Sequence, residues 1–203
     1  MGIVYENKVI NLTAYSMDNT IWHDFEKLFG DNGACGGCWC MSWRLKKSHF
    51  EMGKGIQNKN AMKNLVEKNE VIGVLAYIDG KPIGWCAVAP REKYIRLENS
   101  RVFKRIDNEE VWSITCLYIL KSYRRKGIST ELIKSAINYC RLNKVKIVEA
   151  YPTVPYEDRV PDAFLWTGIP IAFEEAGFEI AERRSKWKIM MRYYICDEES
   201  TEG

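Results

Sequence analysis

Between Val111 and Leu132 the chain reads VWSITCLYILKSYRRKGISTEL, and this run limits the fold more than any other stretch. Its first part, Val111 to Leu120, is apolar and rich in β-branched residues, which predicts a strand. A basic turn follows, Lys121-Ser122-Tyr123-Arg124-Arg125-Lys126-Gly127. Then Ile128, Leu132, Ile133, Ala136, Ile137 and Cys140 fall three or four apart, which predicts an amphipathic helix over Ile128 to Leu142. A strand that delivers a basic, glycine-containing turn to a helix N-terminus builds an anion site. The first N–H groups of a helix have no intrahelical acceptors, and the helix dipole favours negative charge at that end. Arg124, Arg125 and Lys126 add full positive charge at the mouth. The run reads as a pyrophosphate cradle.

The rest of the composition narrows the class of protein. A chain of 203 residues, 46% hydrophobic and 28% charged, is long enough to bury one real core. A net charge of +3 is too small for the dense basic stripe of a nucleic-acid binder. No run approaches the roughly 18 consecutive apolar residues of a membrane span. The start, MGIVYENKVINLT, lacks the pattern of a signal peptide, and Glu6 stands where a myristoylation signal needs Ser or Thr. Seven cysteines, an odd number, point to reduced thiols inside a cell. The expectation is one cytoplasmic domain over residues 1–196, with 1–70 shaping an acceptor site and 71–196 forming the core. An acidic tail over 197–203 would follow.

Coarse periodicity supplies the other elements. Val9 to Thr13 predicts a first strand, and Asp18 or Asn19 can cap a helix that ends at Gly30-Asp31-Asn32-Gly33. A loop rich in cysteine and tryptophan spans Cys35 to Trp43. Asn60 to Glu67 reads as helix, with Ala61, Leu65 and Met62 inward. Val71 to Ile78 and Pro82 to Val88 flank Asp79-Gly80-Lys81, a hairpin signal. Pro90 to Glu110 is a long polar connection. Lys146 to Ala150 is a strand, Tyr151 to Gly168 a second long loop, and Ile169 to Ala176 a short helix ended by Gly177. Phe178 to Arg183 and Trp187 to Tyr194 form a last pair of strands.

The spacing R-x-x-G-x-S at Arg124 to Ser129 resembles the Q/R-x-x-G-x-G/A signature of the GCN5-related N-acetyltransferase (GNAT) superfamily. Ser129 stands at the last small position, where the family has Gly or Ala. The context is similar too, with a strand before the loop, a long helix after it, and Gly177-Phe178 ahead of the terminal strands. The resemblance covers about Val71 to Tyr194. It implies an α/β (α+β) fold, with a mixed, mostly antiparallel sheet, helices on both faces, and a fourth and fifth strand that splay apart. Those strands would be Val111 to Leu120 and Lys146 to Ala150. It implies acetyl-coenzyme A as cosubstrate, its pyrophosphate on Arg124, Arg125, Lys126, Gly127, Ile128, Ser129 and Thr130. Its pantetheine and thioester would face Leu117, Tyr118 and Ile119, with an oxyanion donor at the backbone N–H of Tyr118 or Ile119. The segment Cys38-Trp39-Cys40-Met41-Ser42-Trp43 is similar to a CWCM-x-W segment in uncharacterised members, from which no activity follows.

Departures from the family leave the proton chemistry open. The helix before Gly-Phe often carries a tyrosine acid four residues ahead of the glycine, and here that position is Phe173. Tyr118, Tyr123 and Tyr151 are the available hydroxyls. Among carboxylates, Glu98, Glu109, Glu110 and Glu149 lie near the relevant strands, and Glu149 is the leading base candidate. Its competing role is an edge carboxylate paired with Lys144 or Lys146. Cys35-x-x-Cys38-x-Cys40 could offer three thiolates to zinc, with His49 as a fourth ligand. Zinc sites normally use two separated pairs, so no metal is expected. Redox chemistry, an acceptor-site wall and plain packing are the other readings of the loop. Trp39, Trp43, Trp85 and Trp166 could together line an aromatic pocket for an apolar or cationic acceptor.

The reading that follows is transfer of an acetyl group to a primary amine of a small molecule by direct attack on the thioester. The partners would be acetyl-coenzyme A and that amine, with a homodimer left open and neither nucleic acid nor membrane involved. Two alternatives stand beside it. One is an acyl-coenzyme A sensor with a metal- or redox-responsive cysteine loop, and the other is acetylation of a protein amine. An unrelated nucleotide-binding protein is disfavoured because the chain has neither a P-loop nor G-x-G-x-x-G.

Overall fold

A computed structural model describes residues 2–155, 160–161 and 164–196. The acidic tail over 197–203 and part of the loop expected after Ala150 lie outside the described residues. The strands β1 (Ile3–Asn7), β2 (Leu12–Ser16), β3 (Val74–Ile78), β4 (Lys81–Pro90), β5 (Val111–Ile119), β6 (Ile147–Ala150), β7 (Glu179–Ser185) and β8 (Lys188–Tyr194) make one sheet. Its order is β1-β2-β3-β4-β5-β6-β8-β7. All neighbours are antiparallel except β5 and β6, which run parallel. The expected fourth and fifth strands are therefore β5 and β6, because one more strand precedes them than the sequence suggested.

That extra strand corrects the N-terminus. Of the strand expected over Val9 to Thr13, only Leu12 and Thr13 are strand, as the start of β2; Val9 is 94% exposed in the turn between β1 and β2. Two local features make the turn. The Asn7 side-chain oxygen accepts the Val9 N–H at 3.0 Å, and Asn11 takes a left-handed φ of 51°. Glu131 then pins β1 to the long helix by accepting from Tyr5 Oη at 2.7 Å and from Asn7 Nδ2 at 2.8 Å.

Helices α1 (Trp22–Phe29), α2 (Lys47–Met52), α3 (Ile56–Glu67), α4 (Ile95–Glu98), α5 (Ile128–Leu142) and α6 (Pro170–Glu174) cover the two faces. Helix α5 buries Ile128, Leu132, Ile133, Ala136, Ile137 and Cys140, the stripe that its spacing predicts. Together with α6 it packs on the face that carries Ile83, Cys86, Val88, Ile114 and Leu117. The opposite face carries Trp85, Ala87 and Cys116 under α1, α3 and the cysteine loop. On α3 the fully buried residues are Asn58, Met62 and Val66; Ala61 and Leu65 pack at the edge. Pro90 to Glu110 is no open loop, since it holds α4, and Arg91, Tyr94 and Leu97 are buried. No helix among the described residues is long and apolar enough to cross a membrane.

One irregularity in β5 positions the site. Val88 pairs with Ile114 and Ala87 with Cys116, so Thr115 is an extra residue in the ladder. This bulge shifts the alternation by one. Before it, Trp112 and Ile114 face α5; after it, Leu117 and Ile119 do. Cys116 and Tyr118 turn to the other face. Strand β6 pairs with β5 only from Val111 to Ile114. Beyond Ala150 the chain leaves β5 and bridges to β8 at Thr153 and Lys188. The C-terminal half of β5 is left with an open edge.

Candidate functional site

The open edge of β5 forms one wall of a cleft of about 1280 Å³. Leu117, Tyr118 and Ile119 line it from β5, and Arg124, Arg125 and Ser129 from the turn and helix that follow. Cys35, Cys38 and Cys40 line it from the cysteine loop, and Leu165, Trp166 and Gly168 close the far side. The ladder decides which backbone groups face this space. Leu120 N–H donates to Ile83 O at 2.9 Å, so Leu120, and by alternation Tyr118, turn their amides to β4. Leu117 and Ile119 turn theirs to the cleft. An oxyanion donor at Tyr118 N–H is therefore corrected: that group belongs to the ladder, and only the Tyr118 side chain reaches the cleft. Leu117 N–H donates to Trp166 O at 2.7 Å, and Ile119 O accepts from Arg124 Nε at 2.8 Å.

The cradle at the end of β5 is built from backbone. Gly127 is the N-cap of α5 at φ 75°, a left-handed conformation that glycine adopts without penalty, and no side chain caps the helix. Its carbonyl accepts from the N–H groups of Thr130 and Glu131 at 3.1 and 3.3 Å. The amides of Ile128 and Ser129 precede the first intrahelical bonds and point out of the helix end. Arg125 and Lys126 are exposed, and Lys126 Nζ lies 5.7 Å from the centre of the Tyr123 ring. Thr130 is a correction. Its N–H is bonded to Gly127, and its hydroxyl donates to Glu175 Oε2 at 2.8 Å, so neither group faces the cradle. The Ile128 side chain is buried, leaving only its amide to contribute.

The four tryptophans do not form one pocket. Trp166 lines the cleft, and Trp43 sits beside it at a ring separation of 6.0 Å. Trp39 and Trp85 are core residues, 4% and 0% exposed, packed with Phe25 and Phe29. They hold up the floor of the cleft instead of lining it. The cysteine loop is anchored by Gly37, whose carbonyl accepts from Gly55 N–H at 3.0 Å and Asn58 Nδ2 at 3.2 Å. A Cβ at Gly37 would lie 2.3 Å from Gly55 N, so only glycine fits. Among the described residues, no three His, Cys, Asp or Glu side chains gather as a metal site requires, and His49 lies exposed on α2.

Glu149 is not an edge carboxylate and does not reach the cleft. It is 1% exposed. One oxygen accepts from Arg91 Nη1 at 2.6 Å and from Tyr151 Oη; the other accepts from Arg192 Nε at 2.9 Å. Neither Lys144 nor Lys146 is its partner. Tyr151 is spent in the same network, where burial above all, and then the Glu149 charge, push its phenol well above the ordinary value. Glu109 and Glu110 are exposed at the far end of β5, and Glu98 is paired with Arg91 and Arg105. Phe173 is fully buried against Phe178.

Comparison with known proteins agrees with this architecture. A search of curated proteins returns no match. Solved structures with the same fold include a GNAT-family acetyltransferase from Listeria monocytogenes, at TM-score 0.55 and 10% identity, covering 94% of this chain and 99% of that one. Another GNAT-family acetyltransferase, from Streptococcus agalactiae, has TM-score 0.54 and 11% identity, covering 92% and 96%. The NatC complex bound to Gag peptide and CoA has TM-score 0.52 and 12% identity, covering 92% and 99%. At these identities the likeness speaks for the fold alone. The sequence profile of the acetyltransferase (GNAT) family matches residues 39–160, more than half of the chain and the part that carries the end of the cysteine loop, the bulged strand and the cradle. With a splayed strand pair beside a glycine-capped basic turn, the chain belongs to the acetyltransferase (GNAT) family.

Proposed function

We propose that this acyltransferase moves the acetyl group of acetyl-coenzyme A to a primary amine of a small molecule, by direct attack on the thioester. The observation that carries this reading is continuity: the backbone of Leu117 and Ile119 faces a cleft that runs into the cradle at Arg124 to Ser129. The pyrophosphate would rest on the Ile128 and Ser129 amides with Arg124 and Arg125 alongside. The pantetheine would lie as a strand against the open edge of β5. The thioester carbonyl would take the place of Trp166 O on Leu117 N–H, a fixed donor where negative charge develops in the transition state. The attacking nitrogen adds to the carbonyl carbon, the C–S bond breaks, and coenzyme A leaves as a thiolate that takes up a proton.

The lining favours a small acceptor over a basic peptide. Phe29, Phe50, Leu165 and Trp166 are apolar, and the charged residues among the described lining, Lys54, Arg124 and Arg125, are all cations. A groove for a lysine-rich segment would carry carboxylates. Membership of an acetyltransferase family also favours catalysis over a sensor. The test is thiol release from acetyl-coenzyme A across amines of graded size and polarity, with a basic peptide as comparison. Turnover on aromatic or aliphatic amines is expected; turnover on the peptide alone would reverse the assignment of acceptor.

Arg124→Ala is expected to weaken coenzyme A binding by roughly tenfold at low ionic strength, the scale of one hydrogen bond to a charged group. The loss should shrink at high salt, where screening removes much of the charge contribution. Titrations at two salt concentrations check this, and an equal loss at both would contradict the electrostatic role.

A further inference from the structure

The cysteine loop is the sequence feature that cradle and strand edge leave unexplained. Cys38 and Cys40 from the loop and Cys116 from β5 line the cleft together, next to the Leu117 amide. Cys40 Sγ accepts the indole N–H of fully buried Trp85 at 3.3 Å, and Cys40 itself is 7% exposed. The backbone is contorted to put it there. Trp39 and Cys40 are successive non-glycine residues at φ 44° and 58°. Left-handed conformations are strained for such residues and persist only where the surroundings over-determine them. Here the bend buries Trp39 among Phe25 and Phe29 and turns the Cys40 sulfur to Trp85 and the cleft.

Acyl transfer needs a group that can take a proton from an ammonium acceptor. Among the described residues lining the cleft there is no Asp, Glu or His. The described lining offers the Tyr118 phenol and the thiols, and the surroundings of the thiols set them apart from one another. Burial pushes Cys38 up to about 11. Cys116 is raised by its hydrogen bond to Cys40 and by burial. Cys40 moves the other way: the hydrogen bond from Cys116 lowers it against the effect of burial, and the Trp85 N–H and the Arg44 charge act in the same direction. The other ionisable groups around it, Cys86 of β4 and Tyr94 ahead of α4, are raised by burial and stay neutral.

We propose that the Cys40 thiolate is the proton acceptor for the attacking amine, on the reading that the cleft carries out acetyl transfer. The acceptor R–NH3⁺ gives one proton to Cys40 Sγ, and the freed amine attacks the thioester carbon. The C–N bond forms and the C–S bond breaks. The second nitrogen proton passes to the departing thiolate to give coenzyme A, and Cys40 then releases its proton to water. The thiol forms no bond to carbon at any step.

The experiment compares wild type with Cys40→Ser, Cys40→Ala and Trp85→Phe by thiol release over pH, using an amine that the wild type accepts. Binding of coenzyme A and far-UV circular dichroism report that each variant is folded. Both Cys40 variants should lose about 10² to 10⁴-fold in kcat, the usual range for a general base, with KM for acetyl-coenzyme A within about twofold. Trp85→Phe keeps the thiol and the Cys116 hydrogen bond but removes the indole donor, so the acid limb of its kcat profile should move up by about one pH unit. Iodoacetamide mapped by mass spectrometry should alkylate Cys40 ahead of Cys38 at neutral pH. Wild-type turnover with unchanged kcat and pH profile in folded Cys40→Ser overturns this role and leaves the transfer reading standing. An acetyl group trapped on Cys40 without acceptor also overturns it, in favour of a covalent route. Absence of wild-type turnover on every amine removes the transfer reading itself, and the role of Cys40 with it.

Discussion

Gly127→Glu is expected to raise the dissociation constant for coenzyme A by on the order of a hundredfold in a chain that still folds. The fold should survive because a Cβ at Gly127 meets no atom within 4 Å. The substitution costs the strain of a side chain at φ 75°, roughly 1 kcal/mol. Binding should not survive. A carboxylate at the N-cap of α5 would compete for the Ile128 and Ser129 amides and stand a few ångströms from a doubly charged pyrophosphate. Each such repulsion is worth a few kcal/mol at the effective dielectric of a protein surface. Gly127→Ala carries the same strain without the charge and should bind within a few-fold of wild type. Calorimetric titration of the three proteins checks this, and equal affinity in folded Gly127→Glu would remove the cradle.

The second large effect lies in stability. Glu149→Ala should lower the unfolding free energy by about 3–5 kcal/mol, the usual cost of removing one partner from a buried ion pair. The substitution leaves Arg91 and Arg192, 1% and 4% exposed, facing each other without their shared anion. For a domain of this size the melting temperature should fall by roughly 10 °C or more. Thermal unfolding measures it; an unchanged melting temperature with lost turnover would return Glu149 to catalysis. The same network sets an acid limit. Hydrogen bonding to Arg192 holds Asp107 below the ordinary carboxylate range. In Glu98, burial acts upward, and hydrogen bonds from Arg105 and Arg91 outweigh it. Carboxyls depressed in the folded state stabilise it above their unfolded pKa, and that contribution is lost as pH falls through the folded values. Stability should therefore decline below about pH 4.

Legibility in the sequence followed sequence distance. Helix α5 and the glycine-capped turn before it could be read because Arg124, Gly127 and the Ile128 to Cys140 stripe are local patterns. The β1–β2 hairpin could not, since Val9 and Ile10 are apolar yet sit in a turn set by Asn7 and Asn11. Thr115 gives no sign of a bulge, because its extra position exists only relative to Ala87 and Val88 on β4. That single residue decides that Leu117 and Ile119, and not Tyr118, turn their amides to the cleft. The partners of Glu149 and Cys40 were hidden for the same reason. Arg91 and Glu149 are 58 residues apart, and Cys40 and Trp85 are 45. Composition showed many tryptophans but not that Trp39 and Trp85 would be support while Trp166 reached the cleft.

We propose that the splayed β5 edge and the cradle together form an acetyl-coenzyme A site. Calorimetric titration of the purified protein with acetyl-coenzyme A tests it most directly. Saturable binding at one site per chain is expected, lost in Gly127→Glu and weakened in Arg124→Ala. No heat of binding from a folded wild-type protein across temperatures would contradict it.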